Sequence, residues 1–189
     1  MNSENMDEQE GTKLPLRFPL HLTPKLSRQE AYSKISEFGA RQKSTGIFGP
    51  TEFKIKLDLG AIYFSNAYLH FDDRLKLKEV DLYSEYILKD HDLRGKLIEI
   101  NEFIFNSYEC DASTNIIPVD YYLISAPLND ANIKVVYSYP PINLYLIVRY
   151  FENIFNRACR LVLSYVDTDW LLPRMEENDR KRREGKQFL

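Results

Sequence analysis

The sequence predicts an α+β fold in which helices pack on an antiparallel sheet made of a three-strand meander and a hairpin. Three patterns support this prediction. Residues 27–30 are typical of a helix start, residues 53–83 have the patterns of three successive strands, and residues 142–166 contain neither Gly nor Pro. The predicted order is helix, three strands, helix, two strands and a long C-terminal helix.

The first helix and the meander have the clearest local signals. Ser27 and Glu30 are spaced as a capping box, which predicts a helix that begins directly after Ser27. Residues 53–59 alternate apolar and charged side chains, as a half-buried strand does. Residues 61–71 have apolar side chains at odd and even positions alike, which predicts a central strand covered on both faces. Residues 75–83 complete the meander.

The next part of the chain is less regular. Residues 90–108 have apolar residues at helical spacing, although part of this segment would also suit a strand; we favour the helix. Residues 119–125 and 133–139 predict a hairpin, because β-branched and aromatic residues flank a turn-forming Asn-Asp pair. Its second strand is expected to end at the following Pro-Pro pair.

Residues 142–166 predict the long C-terminal helix, because their apolar positions follow steps of three and four residues. Such a helix must pack against the rest of the protein. It carries more apolar and aromatic residues than one contact with a sheet requires. We therefore expect a partner to bind at four residues that border its buried side, Tyr145, Leu146, Tyr150 and Leu163.

The composition predicts one domain. A chain of 189 residues with 44% hydrophobic residues can bury roughly 70% of its unfolded surface in a single core. Residues 1–13 are expected to form a disordered acidic tail, residues 14–173 the domain, and residues 174–189 a charged, solvated tail.

The charge distribution disfavours nucleic-acid binding, because residues 12–173 carry 19 bases against 20 acids and lack a positive excess. Cys110 and Cys159 have no metal-binding spacing, and residues 1–10 lack the features of a signal peptide, so we expect a cytoplasmic protein. Four charged residues in the long predicted helix argue against membrane insertion.

Two groups of residues suggest metal or acid-base chemistry. His70, Asp72 and Asp73 form one group, and His91 and Asp92 belong to the other. Since Asp and His at these positions also form turns and helix caps, we favour that structural explanation. The sequence therefore predicts no catalytic residue, no metal and no cofactor.

Basic residues recur along the meander at Lys54, Lys56, Arg74, Lys76 and Lys78. If the two outer strands flanked residues 61–71 at the edges of a sheet, these side chains would share one face. That face would attract an acidic partner, or it would protect edge strands from aggregation. Lys54, Lys56, Lys76 and Lys78 are accordingly the second set of candidate partner-binding residues.

Three functions follow, in decreasing order of support. The first is a protein-binding module of the inhibitor, immunity, chaperone or adaptor type, which could form a homodimer. The second is a carrier of a small ligand or lipid, with a cavity between sheet and helix lined by Tyr63, Tyr68, Tyr121, Phe151 and Phe155. The third is a metal-dependent enzyme that uses the two histidine groups.

The predicted order of elements over residues 27–166 is similar to the architecture of type III secretion chaperones. The likeness is one of architecture alone, since no residue motif carries it. It implies a homodimer whose exposed apolar residues bind a client protein.

Overall fold

The structure, a computed structural model, describes residues 12–44, 51–60, 62–85, 87–88, 91–113, 133–153 and 158–185. The fold class is α+β, as predicted. Its helices are α1 (Arg28–Glu37), α2 (His91–Ser107) and α3 (Thr168–Gly185), with a short 3-10 helix at Pro140–Ile142. Its strands are β1 (Leu14–Pro15), β2 (Arg41–Ser44), β3 (Thr51–Leu59), β4 (Ile62–Phe71), β5 (Leu77–Ser84), β6 (Ile87–Leu88), β7 (Tyr108–Glu109), β8 (Asp111–Ser113), β9 (Ile133–Tyr139), β10 (Leu144–Asn153) and β11 (Ala158–Asp167).

Most strands form one antiparallel sheet with the order β2-β3-β4-β5-β11-β10-β9-β8, and β6 pairs with the far end of β11. The meander β3-β4-β5 is confirmed. It lies inside the sheet, because β2 continues it beyond β3 and β11 continues it beyond β5. Strands β1 and β7 make a separate parallel pair.

The two predicted helices before the hairpin are confirmed. The Ser27 hydroxyl accepts a hydrogen bond from the Glu30 amide at 3.3 Å, and the Ser27 amide donates to Glu30 Oε2 at 2.8 Å. The helix α1 is followed by Gly39 at φ +70°, a backbone conformation that favours glycine. Helix α2 covers the ambiguous segment, so the helical assignment of residues 90–108 is correct.

The long helix predicted for residues 142–166 is wrong. This segment forms β10 and β11, which pair along their whole length from Leu144–Asp167 to Asn153–Ala158. The helical pattern misleads because most positions of the segment are apolar, and a segment of this kind also suits two strands that are buried on both faces. Its β-branched and aromatic residues favour the strands.

The C-terminal part of the fold therefore differs from the prediction. The likeness to type III secretion chaperones is lost, because it required a helix where β10 and β11 lie. The expected hairpin is represented by β9, which pairs with β10, whereas residues 119–125 lie outside the described part. Residues 174–185, expected in a solvated tail, belong to α3. No helix among the described residues is long and apolar enough to cross a membrane.

The two faces of the sheet differ in composition. Residues that lie directly opposite each other on paired strands point to the same face, so the strand register identifies the residues of each face. One face carries Phe53, Ala67, Leu82, Leu163 and Val148 in register. These residues belong to one apolar core that also contains Ala31 and Ile35 of α1, Ile100 and Ile104 of α2, and Leu16, Phe18 and Leu22 of the N-terminal segment. The core therefore leaves the opposite face of the sheet available for other chemistry.

Candidate functional site

The opposite face of the sheet is lined with polar side chains, and we call it the polar face. The strand register places His70 opposite Glu79, and Tyr68 between Glu52 and Asp81. Further along the sheet, Ser164 lies opposite Asp81. By the same register and alternation, the polar face carries Glu52, Lys54, Asn66, Tyr68, His70, Glu79, Asp81, Tyr83, Arg149, Arg160 and Ser164, together with the buried apolar residues Ile147, Val162 and Val166.

Four charged or titratable residues of this face form what we call the buried cluster: His70, Glu79, Asp81 and Arg149. Glu79 and Asp81 are 0% exposed, His70 is 1% exposed and Arg149 is 5% exposed. Arg149 donates from Nη2 to Asp81 Oδ2 at 3.4 Å and from Nε to the Ser164 hydroxyl at 3.1 Å. Burying this much charge is unfavourable unless the charges offset one another.

The imidazole of His70 lies close to acids without a well-directed hydrogen bond. His70 Nε2 is 3.2 Å from Asp81 Oδ2, but the angle does not suit a hydrogen bond. Within the described residues, neither imidazole nitrogen nor Asp81 Oδ1 has a hydrogen-bond partner. One ligand atom each of His70, Glu79 and Asp81 lie within 4.8 Å of one another, so these three residues could hold a metal ion.

Burial and neighbouring charges shift the pKa values of the cluster in different directions. Burial, assisted by the negative charge of Asp81, raises the pKa of Glu79 to about 8. Burial also acts to raise the pKa of Asp81, but Arg149 and His70 outweigh it and hold that pKa below its usual value. Burial would lower the pKa of His70, yet the charge of Glu79 and the proximity of Asp81 raise it. The two carboxyl groups thus differ in acidity although they are two residues apart.

A second feature, which we call the basic cleft, opens beside the polar face with a volume of about 960 Å³. Four of its lining residues are cationic and one is acidic. Their charges are +4 and −1, which makes the cleft locally basic in a chain whose formal net charge is −3. The lining residues are Phe38, Gly39, Arg41, Lys54, Ile55, Lys56, Tyr63, Ser65, Asn66, Glu85 and Arg160.

The cations of the cleft are held in two different ways. Arg160 is fixed, since its Nε donates to the Ser84 carbonyl at 2.9 Å and its Nη2 donates to Asn66 Oδ1 at 3.1 Å. In contrast, Arg41, Lys54 and Lys56 are exposed. Among the described residues, no carboxylate forms a salt bridge with these three side chains.

Aromatic rings connect the cleft with the buried cluster. The guanidinium of Arg160 lies 5.7 Å from the centre of the Tyr83 ring, and the rings of Tyr83 and Tyr68 are 4.9 Å apart in an edge-on arrangement. Tyr68 is in turn opposite Asp81. Burial raises the pKa of Tyr83 above its usual value, so this residue stays a neutral phenol.

The lysines predicted to share one face of the meander lie in three different places. Lys54 and Lys56 line the cleft. Lys76 is exposed near α1, where its charge helps to lower the pKa of Glu30 after the hydrogen bonds from Ser27. Lys78 is buried and pairs with Asp167 at 3.1 Å. The assumption that the outer meander strands are edges is wrong, because β2 and β11 cover them.

The residues assigned to a partner-binding helix surface lie instead on β10 and β11. Leu146 and Leu163 are fully buried in the core, and Tyr145 and Tyr150 are half-buried. Leu146 and Leu163 therefore offer no surface to a partner in this fold. Of the residues proposed to line a ligand cavity, Tyr63 lines the basic cleft and Tyr68 lies on the polar face. Tyr121, Phe155 and the side chain of Phe151 lie outside the described part.

The structure gives different roles to the residues of the two predicted histidine groups. Asp72 shapes a turn, since its Oδ1 accepts from the amides of Arg74 at 3.0 Å and Lys76 at 2.9 Å. Asp73 is exposed. His91 begins α2, but the side chains of His91 and Asp92 are outside the described part. His70 lies with Glu79 and Asp81, a combination that the sequence interpretation missed.

No protein-family model, curated protein or solved structure matches this chain.

Proposed function

We propose that this protein binds an acidic segment of a partner protein in the basic cleft. The observation that carries the proposal is the set of four cations around one open cleft, three of them exposed and without a salt bridge among the described residues. Grouping like charges is unfavourable in the isolated protein, and an anionic ligand offsets that repulsion.

The fixed guanidinium supports recognition of carboxylates. Arg160 is already oriented by Ser84 and Asn66, so little side-chain entropy is lost when it meets a ligand. Asn66 is itself held, because its Nδ2 donates to Glu52 Oε1 at 2.7 Å. An oriented guanidinium beside flexible cations favours a ligand with several carboxylates.

Two exposed aromatic residues favour a peptide over a simple ion. Phe38 is 45% exposed and Tyr63 is 38% exposed, and both line the cleft. They offer apolar contact beside the cations, as peptide-binding surfaces commonly do. The volume of about 960 Å³ is near the upper end of the range of roughly 300 to 1,000 Å³ for small-ligand sites, which suits a few side chains of a peptide.

The other two hypotheses have less support. A carrier of an apolar ligand would need a largely apolar lining, whereas this cleft is open and carries five charged residues. The enzyme hypothesis relied on His70, Asp72 and Asp73 as one group, whereas Asp72 shapes a turn and Asp73 is exposed. The near balance of charge over residues 12–173 disfavours nucleic acid as the anion.

A peptide-binding experiment tests the proposal. The probe is fluorescein-labelled hexaglutamate, with hexaglutamine as the neutral control, and fluorescence anisotropy gives the Kd. The cleft variant R41E/K54E/K56E is compared with R74E/K76E/R183E, which makes the same change in charge at exposed positions outside the cleft.

We expect the cleft variant to bind hexaglutamate about 10 to 100 times more weakly, because it loses three charge contacts of up to about 1 kcal/mol each. The control variant should change the Kd by less than about threefold. Equal losses in both variants would show that net charge alone attracts the peptide, and equal binding of hexaglutamine would show that the carboxylates are not recognised. Either result contradicts the proposal.

A further inference from the structure

The buried cluster combines three potential metal ligands on two neighbouring strands. His70 on β4 and Glu79 on β5 are opposite each other, and Asp81 lies two residues further along β5 on the same face. Their ligand atoms lie within 4.8 Å of one another, and all three residues are buried. We propose that His70, Glu79 and Asp81 bind one divalent transition-metal ion of the zinc or manganese type.

The hydrogen bonding of the cluster supports this proposal independently. His70 Nδ1, His70 Nε2 and Asp81 Oδ1 are buried and have no hydrogen-bond partner among the described residues. Such atoms are rare in folded proteins, because each loses its hydration without replacement. A metal ion takes the lone pair of an imidazole nitrogen and of a carboxylate oxygen, so one ion satisfies atoms on both side chains.

The ligand chemistry selects the class of metal. One imidazole nitrogen with two carboxylates suits zinc, iron or manganese, whereas calcium and magnesium prefer oxygen ligands alone. Bonds of about 2.0 to 2.2 Å place ligands around one zinc ion roughly 3 to 4 Å apart. The present spacing of up to 4.8 Å must therefore shorten by roughly 1 to 2 Å when an ion binds.

Arg149 has a defined place outside the ligand set. It contacts Asp81 through Oδ2 and leaves Oδ1, which has no hydrogen-bond partner among the described residues, as the oxygen for an ion. Its Nε is held by Ser164, which fixes the guanidinium. The guanidinium repels any cation in the site and so weakens its binding. Magnesium and calcium, which these ligands hold weakly, are then not bound, whereas ions that imidazole and carboxylate bind strongly still are. Oriented outer partners of this kind are common around metal ligands.

Metal binding by the full chain tests the proposal. After treatment with EDTA and dialysis, the protein is titrated with Zn²⁺, Mn²⁺ and, as a negative control, Mg²⁺, by calorimetry and by thermal unfolding. We expect one Zn²⁺ or Mn²⁺ per chain. With the metal at 100 times its Kd, Tm should rise by about 5 to 10 °C for a chain of this size, and Mg²⁺ should leave Tm unchanged.

Variants locate the ion. E79Q keeps the shape of the side chain, and both E79Q and H70Q should bind the metal at least 100-fold more weakly. H21Q is the matched control, because His21 is an exposed histidine that lies outside the cluster; it should bind as the wild type does. Circular dichroism of each variant in EDTA establishes that it is folded.

If H70Q does not fold, absorption of the wild-type protein with Co²⁺ replaces it as the readout. Intense visible bands then indicate four- or five-coordinate Co²⁺ held by the protein, and a spectrum identical to that of aqueous Co²⁺ overturns the proposal. It is also overturned if the wild-type protein binds neither Zn²⁺ nor Mn²⁺, or if E79Q and H70Q bind as tightly as the wild type.

Discussion

The buried cluster lies on the polar face and the basic cleft opens beside that face; both use similar residue types, but they differ in their access to water. Lys54 and Lys56 in the cleft are exposed, so their charges are hydrated and can attract a ligand. Arg149 and Asp81 in the cluster are shielded from water, so each depends on the other. The difference shows that burial, rather than the identity of the charged residue, decides whether it pairs within the fold or can meet a dissolved anion.

The largest expected effect comes from removing the arginine of the cluster. Arg149→Met removes the guanidinium that pairs with the buried carboxylate of Asp81, and we expect a loss of about 3 to 5 kcal/mol in the free energy of unfolding. Urea denaturation measures this loss. The matched change in the cleft, Arg41→Met, should alter stability by less than about 0.5 kcal/mol. Similar values for the two variants would mean that the cluster is not shielded from water.

A smaller contrast is expected between two serines. Ser164→Ala removes the acceptor for Arg149 Nε inside the cluster, and an unsatisfied buried donor costs about 1 to 3 kcal/mol. Ser65→Ala removes a partly buried contact with Asn66 at the cleft, and water can replace it, so we expect less than about 1 kcal/mol. Denaturation curves of the two variants, measured under the same conditions, give the two losses of stability. A larger loss for Ser65→Ala than for Ser164→Ala would refute the difference between cluster and cleft.

Salt should affect the binding of an anion at the cleft much more than the stability that the cluster provides. Charges in water are screened over about 10 Å at 0.1 M salt, whereas shielded pairs are screened much less. An increase from 50 to 500 mM NaCl should therefore weaken hexaglutamate binding at least tenfold. The stability difference between wild type and Arg149→Met should change by less than about 1 kcal/mol over the same range. Hexaglutamate affinity that is independent of salt would exclude the cleft as an electrostatic site.

The smallest expected effect concerns the orientation of Arg160. Asn66→Ala removes the acceptor that holds Nη2, while Ser84 still holds Nε. We expect a two- to fivefold weaker Kd for hexaglutamate, because part of the preorganisation is lost. Lys43→Ala is the control, since Lys43 contacts Glu52 and does not line the cleft. A larger effect of Lys43→Ala would place the anion elsewhere on the sheet.

Local signals in the sequence predict the first part of the fold well. The capping box of Ser27 and Glu30 depends on neighbours three residues apart, and the alternation in residues 53–59 reflects one exposed side of a strand. The prediction for residues 142–166 fails because the described residues 144–148 and 161–166 are mostly buried, so contact with water imposes neither period on them. Their true structure depends on pairing with strands that are distant in sequence.

The candidate site was predictable only in part. Lys54 and Lys56 are recognised from the sequence as basic, but the cleft also needs Arg41 and Arg160 from other strands. The buried cluster was missed because Glu79 and Asp81 alternate with apolar residues, which resembles a solvated strand face. The sequence did contain a signal for the cluster. Residues 61–71 predict a strand covered on both faces, and a short turn after this strand places His70 opposite Glu79 on a covered face.

The central claim is that anions bind at the cleft while the cluster stays inaccessible to them. Amide chemical shifts of ¹⁵N-labelled protein, followed during titration with hexaglutamate, test it most directly. We predict that the largest changes occur at Arg41, Lys54 and Lys56, and that the amides of Glu79 and Asp81 change little. Changes centred on β5, or spread evenly over Lys76, Arg74 and the cleft, would contradict the claim.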